Sequence, residues 1–337
     1  MPDKLRTILA IRFSAMGDVA MTIPVMKRVL DVNPDLQIVF VTNKNWGALC
    51  AGIPRLIFFP ADLKGEHKGV KGLFQLFRSI RKAYDIDAVA DLHQVLRSQI
   101  VRTFFKLTGK RVAVIDKGRE EKKALVRQEN KILQPLTSTV ERYAAVFRTL
   151  GLTVDLTNTP PVFPGVEKAG EFWIGMAPFA TYREKTYPLN KMEEVLAILN
   201  EEPNTKVFLM GGGATEIAQL NALAARYPAA VVVAGRYTLA EELVLISQLH
   251  VMISMDSANM HLASLFGVPV VSIWGATHPF AGFMGYGQSM DNAVQVDNLS
   301  CRPCSIFGNK PCFRGDHACM EWIEPTDVVV KVLMVGA

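Results

Sequence analysis

The chain has 337 residues, 50% of them hydrophobic and 20% charged, and no apolar run approaches the ~20 residues of a spanning helix, which excludes membrane-embedded and disordered classes and reads as soluble and globular. That length exceeds one typical core and suits two domains of about 150 residues each. The net charge of +5 hides an asymmetry: residues 1–160 carry 26 Lys and Arg against 15 Asp and Glu, and residues 161–337 carry 11 against 17. A basic first half suits an anionic partner, whether nucleic acid, a membrane surface or a phosphorylated substrate, or is a solvated basic surface. MPDKLRTILAIRFSAMGD has too short an apolar run and no small-residue cleavage site for a secretory signal, so a cytoplasmic location is expected.

In chain order, the buried runs TILAI, QIVFVT, DAVADL and RVAVID alternate with segments of helical period, and so do FWIGMAPF, KVFLMG, AVVVAG, VMISM and VPVVSIWG. This alternation predicts α/β architecture with parallel sheets covered on both faces. Between the two series, LTNTPPVFPGVEKAGE (156–171) is the expected linker, giving domains 1–160 and 161–337. Ligands of such sheets bind beyond the carboxyl ends of the strands, so the motifs are sought there.

After the first strand, Ile8 to Arg12, Gly17 stands alone. The G-x-G-x-x-G of dehydrogenases and the G-x-x-x-x-G-K-[ST] of P-loop NTPases are both missing. Asp18 instead falls at or next to a helix N-cap, where free N–H groups and the helix dipole favour a carboxylate. Val19, Ile23, Met26 and Leu30 form the buried stripe, and Pro24 is expected to kink or restart the helix. DLHQVLRSQ sets Asp91, His93 and Arg97 at another strand end, suited to acceptor contact or to structural hydrogen bonds.

In the second half, YREKTYP carries Arg183 and Lys185, and LMGGGATE carries Glu216. VMISMDSANMHLASLFGVPVVSIWGATHP (251–279) delivers Asp256 and Ser257 to a strand end, opens a helix at Ala258–Asn259, places His261 in its first turn, and returns Gly275, Ala276 and Thr277 to the same rim. A helix start of this kind is an anion site, or simply a capped helix with a satisfied histidine. Cys301, Cys304, Cys312 and Cys319 are spaced C-x2-C-x7-C-x6-C. That spacing leaves structural zinc, reduced packing thiols or later oxidation open.

IRFSAMGDVAMTIPVMKRV and DSANMHLASLFGVPVVSIWGATHP, in that order and a domain apart, resemble the opening strand–turn–helix and the nucleotide-site signature of glycosyltransferase family 9, the ADP-heptose:lipopolysaccharide heptosyltransferases. The resemblance covers nearly the full chain, including MAPFATYREKTYP and the tail ending CMEWIEPTDVVVKV. It implies a GT-B fold: two Rossmann-like, doubly wound domains facing a cleft, with the acceptor mainly on the first and the sugar nucleotide mainly on the second. On this resemblance Asp18 is the general base of an inverting transfer, and Lys185, with Arg183 beside it, meets the donor phosphates. Asp256, Ser257 and His261 surround the pyrophosphate with Gly275 and Thr277 on the rim, Glu216 is a candidate for the ribose, and His93 and Arg97 for the acceptor. The implied partners are a nucleotide sugar and an anionic glycolipid acceptor, met in peripheral contact with the inner face of the cytoplasmic membrane, and no nucleic acid; no metal or other cofactor is expected. Where the family commonly has Ser/Thr-Gly after the aspartate, this chain has Ser257-Ala258-Asn259, and a methyl group there crowds the backbone approach to phosphate. That departure is the support for a degenerate GT-B binding module without turnover; a GT-B sugar-nucleotide epimerase would use the same donor site without an acceptor. Intact Asp18 and Lys185 favour transfer.

Overall fold

Every residue of TILAI is buried, as a strand in the middle of a sheet covered on both faces requires. In the computed structural model, which describes residues 5–157, 160–168 and 170–336, this stretch is β1 (Thr7–Ile11) at the centre of a five-stranded parallel sheet. Its companions are β2 (Gln37–Asn43), β3 (Leu56–Ala61), β4 (Ala88–Asp91) and β5 (Arg111–Val114), in the order β3-β2-β1-β4-β5. The helices along this part of the chain are α1 (Met16–Val32), α2 (Gly69–Ala83), α3 (Leu96–Leu107), α4 (Arg119–Val126) and α5 (Thr139–Thr149). The second sheet has six parallel strands, β6 (Phe172–Ala177), β7 (Thr205–Leu209), β8 (Ala230–Val232), β9 (Val251–Met255), β10 (Val270–Trp274) and β11 (Ala293–Gln295), in the order β11-β10-β9-β6-β7-β8. With it run α6 (Leu189–Glu201), α7 (Ala214–Ala224), α8 (Leu239–Gln248), α9 (Ala258–Leu265), α10 (Ala318–Glu321) and α11 (Pro325–Gly336). None of the described helices is long and apolar enough to cross a membrane.

By contacts the chain divides into Met1–Lys117 with Thr139–Thr159, and Gly118–Ser138 with Pro160–Ala337. The stretch 118–138, which the sequence reading placed in the first domain, therefore belongs with the second unit. Lys131 shows why: its ammonium donates to the carbonyls of Ser300, Cys301 and Pro303 at 3.1, 2.8 and 3.0 Å, one acceptor for each of its three N–H groups. The Leu136 amide likewise donates to the Phe280 carbonyl. Of the expected linker 156–171, residues 158, 159 and 169 lie outside the described residues.

Helix α1 starts at Met16 with Ala15 as N-cap, so Asp18 is the third helical residue and not the cap itself. Its carboxylate reaches back to accept the Ala15 amide at 3.2 Å, satisfying one of the helix's free N–H groups. Pro24 does not break α1, which runs on to Val32 around it. Two strands lie outside the nine apolar runs. Both β3 and β11 are sheet edges, the first half-exposed and carrying Pro60, the second three residues long.

In each sheet the strand order reverses beside a central strand, β1 against β4 in the first and β6 against β9 in the second. The crevice at the carboxyl edge of such a reversal is where open α/β sheets bind ligands.

Candidate functional site

At the first reversal, the turn after β1 and the turn after β4 lock together. The Leu92 amide donates to the Ile11 carbonyl, Arg12 Nη1 donates to the Leu92 carbonyl at 2.9 Å, and the Phe13 amide donates to His93 Nδ1 at 3.3 Å. Arg12, absent from the sequence expectations, then reaches Asp18: Nη2 and Oδ2 are 2.5 Å apart. The arginine side chain is 8% exposed and the aspartate 28% exposed, so the guanidinium is the fixed member and the carboxylate faces solvent. A carboxylate held this way is an oriented proton acceptor.

His93 is buried, and that burial first, with the Arg12, Lys117 and Arg97 charges behind it, holds its imidazole down at about 3. It is neutral at physiological pH with Nδ1 occupied by Phe13, leaving Nε2 as a donor. Arg97 lies exposed in the first turn of α3. Asp91 is structural: one oxygen accepts the His93 and Gln94 amides, the other accepts the Ser98 hydroxyl and Arg102 Nη1.

At the second reversal the cation is the more open partner. Lys185 ends a 3-10 turn, Arg183–Lys185, that follows β6, and its Nζ lies 3.1 Å from Oδ2 of Asp256 at the end of β9. Asp256 is 7% exposed and Lys185 14% exposed. Helix α9 begins next to this pair. Its N-cap, Ser257, makes no side-chain cap, its hydroxyl pairing instead with Ser254 at 3.1 Å. The first amides of α9 are thus left to a ligand or solvent. Ala258 is the first helical residue and half-buried; His261, one turn in, is buried. Arg183 is exposed on the same turn as Lys185.

The rim after β10 is fastened from behind. Arg302, 4% exposed, donates to the carbonyls of Gly275 (2.6 Å), Val296 (2.6 Å) and Thr277 (3.1 Å) and to the Gln295 side chain (3.1 Å). The Ala276 amide donates to the Glu184 carbonyl, and the Cys304 and Ser305 amides donate to the Ala276 carbonyl. Rim, lysine turn and tail are thereby one hydrogen-bonded unit. The Thr277 hydroxyl is buried without a hydrogen-bond partner. Gly308, at φ +72°, packs on the Lys185 stem so tightly that a Cβ there would stand 2.3 Å from Lys185 Cγ. Only glycine fits that approach. Glu216 sits in the first turn of α7, at the same edge of the sheet, and its Oε2 accepts the Gly212 amide at 2.8 Å.

Cys301, Cys304, Cys312 and Cys319 are free thiols lining one cavity beneath this tail. Burial pushes Cys319 up to about 12 and raises Cys304 as well. Among the described residues no group of three or more His, Cys, Asp or Glu side chains is arranged to hold a metal ion.

The chain is similar to known proteins over most of its length. Over 303 residues the chain is 22% identical to the lipopolysaccharide core heptosyltransferase OpsX of Haemophilus influenzae, covering 86% of this chain and 84% of that protein. Lipopolysaccharide heptosyltransferase 1 of Pseudomonas aeruginosa is 25% identical over 335 residues, 90% of this chain and 87% of its own length. Among solved structures, E. coli heptosyltransferase WaaC with ADP-2-deoxy-2-fluoro heptose superposes with a TM-score of 0.68 at 16% identity, covering 98% of this chain and all of that one. The two parallel-sheet units are therefore of the GT-B fold, as the family resemblance implied. The model of glycosyltransferase family 9 (heptosyltransferase) matches residues 73–307, well over half of the chain, and the protein belongs to that family of glycosyltransferases.

Proposed function

We propose that the protein transfers a heptosyl residue from ADP-heptose to an anionic glycolipid acceptor of the lipopolysaccharide core, with inversion at the anomeric carbon. The observation that carries this reading is the Lys185–Asp256 pair beside the uncapped start of α9. It sets a cation and free backbone N–H groups together at a strand-order reversal, where a nucleoside diphosphate binds and where charge develops as it leaves. Asp18 takes the proton of the acceptor hydroxyl as that oxygen attacks the anomeric carbon, and Arg12 keeps the carboxylate aimed. Arg183 shares the phosphate contact, Ser257 and His261 line it, Gly275 and Thr277 form its rim, Glu216 meets the ribose, and His93 and Arg97 meet the acceptor. The positive charge comes from Lys185 and the helix amides, so transfer should proceed without an added divalent cation or other cofactor.

The relatives' names support heptosyl transfer in lipopolysaccharide core assembly, and the ligand of the WaaC structure supports an ADP-linked donor. The test is a thermal-shift panel of nucleotide sugars followed by transfer to heptose-free core glycolipid in EDTA. Stabilisation by ADP-heptose above the others, with product of inverted anomeric configuration, is expected. Stabilisation without product would leave a binding module; conversion of the donor alone would make it an epimerase.

A further inference from the structure

Three consecutive carbonyls of the rim after β10 turn toward the tail. Those of Gly275 and Thr277 accept from Arg302, Nε at 2.6 Å and Nη2 at 3.1 Å, and that of Ala276 accepts the Cys304 and Ser305 amides at 3.1 and 3.2 Å. In an extended chain successive carbonyls alternate between sides, so this alignment needs the donors of segment 302–305. The rim peptides are trans, and in a planar trans peptide the N–H points opposite to the C=O. The amides of Ala276, Thr277 and His278 therefore all face away from the tail. The first marks the direction: it donates to the Glu184 carbonyl at 3.2 Å, next to Lys185. Those of Thr277 and His278 donate to nothing among the described residues. Both residues are nonetheless over nine-tenths buried, and the Thr277 hydroxyl is buried without a partner as well. Buried N–H groups are rarely left unpaired, and successive ones on one side form an anion-binding concavity.

Arg302 is bonded for this arrangement and not for an ion pair. Its acceptors are all neutral: the two rim carbonyls, the Val296 carbonyl and the Gln295 amide oxygen. Asp297 stands one amide further on, accepting from Gln295 Nε2 at 2.9 Å. A planar fork with five donors holds several separated acceptors at once, which the single nitrogen of a lysine cannot do. We propose that Arg302 is a positioning residue of the donor site, holding the rim carbonyls back so that the Thr277 and His278 amides and the Thr277 hydroxyl meet the oxygens of a nucleoside diphosphate. The inference rests on the reading of the second unit as the donor site and adds to that site donors that no sequence motif indicates. A hydrogen bond to a charged oxygen is worth about 10- to 100-fold in affinity, so the arrangement favours ligands that carry phosphate.

The test compares ADP with adenosine, which has the same base and ribose and no phosphate, in titrations followed by amide N–H NMR spectra. In the wild type, ADP should move the Thr277 and His278 amide protons downfield and adenosine should not. Amides that stay in place with ADP bound would overturn the proposal, and this readout needs no variant to fold. Arg302→Lys keeps the buried charge and loses the fork; its ADP affinity should fall at least about tenfold and its adenosine affinity less than about twofold. Equal loss for both ligands would make Arg302 a tie for the tail alone, and no loss for ADP would be as damaging. Lys131→Met is the control, because Lys131 fastens the same tail through the carbonyls of Ser300, Cys301 and Pro303 without touching the rim. It should lower thermal stability and leave the ratio of ADP to adenosine affinity as in the wild type; a matching loss there would assign the effect to the tail as a whole and overturn the role of Arg302. Lys185→Ala keeps this inference apart from the reading beneath it. If that variant binds ADP as the wild type does, the donor site lies elsewhere and the inference falls with it. If it weakens ADP while Arg302→Lys does not, the donor site stands and only the part given to Arg302 is lost.

Discussion

The two carboxyl-edge sites use the same pair of charges in opposite senses. After β1, the arginine is the buried member at 8% exposure and the aspartate faces out at 28%. After β6 and β9, the aspartate is the buried member at 7% and the lysine is the more open at 14%. In each pair the better-buried group is an anchor, and the chemistry offered to a ligand has the sign of the other. On the proposed function, one unit would offer a base and the other a cation for phosphate. The pairing also offsets the lost hydration of a charge at a strand end, since each stands against a partner.

Exchanging the charge of the outward member should therefore matter more than exchanging that of the anchor. Asp18→Asn keeps the shape and the capping of the Ala15 amide while removing the base, and transfer should fall 10²- to 10⁴-fold with donor affinity unchanged. A variant retaining more than about a tenth of wild-type turnover would sink the general-base role and leave Asp18 as a helix-capping group. Lys185→Ala deletes a charge-assisted contact worth about 10- to 100-fold in donor affinity. Asp256→Asn breaks the same ion pair but leaves the ammonium in place, and donor affinity should change by less than tenfold. If both substitutions weaken ADP binding equally in calorimetry, the division into anchor and outward member is wrong for the second unit.

Much of this was legible in the sequence because burial in a parallel sheet writes continuous apolar runs, and nine such runs became strands. The edge strands β3 and β11 escaped because an edge is half-solvated and tolerates Pro60 or a length of three residues. Asp18 and Asp256 could be found because short motifs at strand ends carry them, and Lys185 through the resemblance of YREKTYP to the family. Their supports could not. Arg12 meets Asp18 through the folding of one turn, and Lys131 finds its three carbonyls about 170 residues away. Gly308 is tied to Lys185 only by a close approach in space. Arg302 reads in sequence as one more surface cation near cysteines, and its burial under Gly275 and Thr277 follows from the path of the tail. Periodicity reports the face a residue occupies, not which distant backbone it will satisfy.

A smaller effect separates the units by charge. The first unit carries 21 Lys and Arg against 12 Asp and Glu and the second 16 against 20, so on the proposed function acceptor affinity should fall with ionic strength more steeply than donor affinity, since exposed charges are screened first. Measuring KM for each substrate between about 0.05 and 0.5 M salt decides it, given a Debye length that falls to a few ångströms over that range. Equal slopes would leave the basic surface without a part in acceptor capture.

The smallest expected effect concerns His93, which locks the β1 turn to the β4 turn. Burial holds its imidazole at about 3 in the folded protein, against ~6.5 in an unfolded chain. Above pH 6.5 both states are neutral there and the contact contributes in full. Below it the unfolded chain takes up a proton that the folded one refuses until about pH 3, so stability falls with pH across that window, by up to ~1.4 kcal/mol per pH unit. His278 in the second unit, held by burial at about 4, adds a similar loss of its own. His93→Asn keeps an oxygen for the Phe13 amide and removes the titration. Urea unfolding followed at the first unit between pH 6.5 and 4.5 should then show a slope reduced by about one proton, while the second unit, with His278 intact, keeps its own. At neutral pH the variant should lose some stability from the poorer fit of the smaller side chain and less than tenfold in transfer, because a neutral donor to the acceptor is worth about one hydrogen bond. An unchanged acid slope would mean that His93 is charged in the folded protein, and its place as an uncharged strut between the two turns would have to be given up.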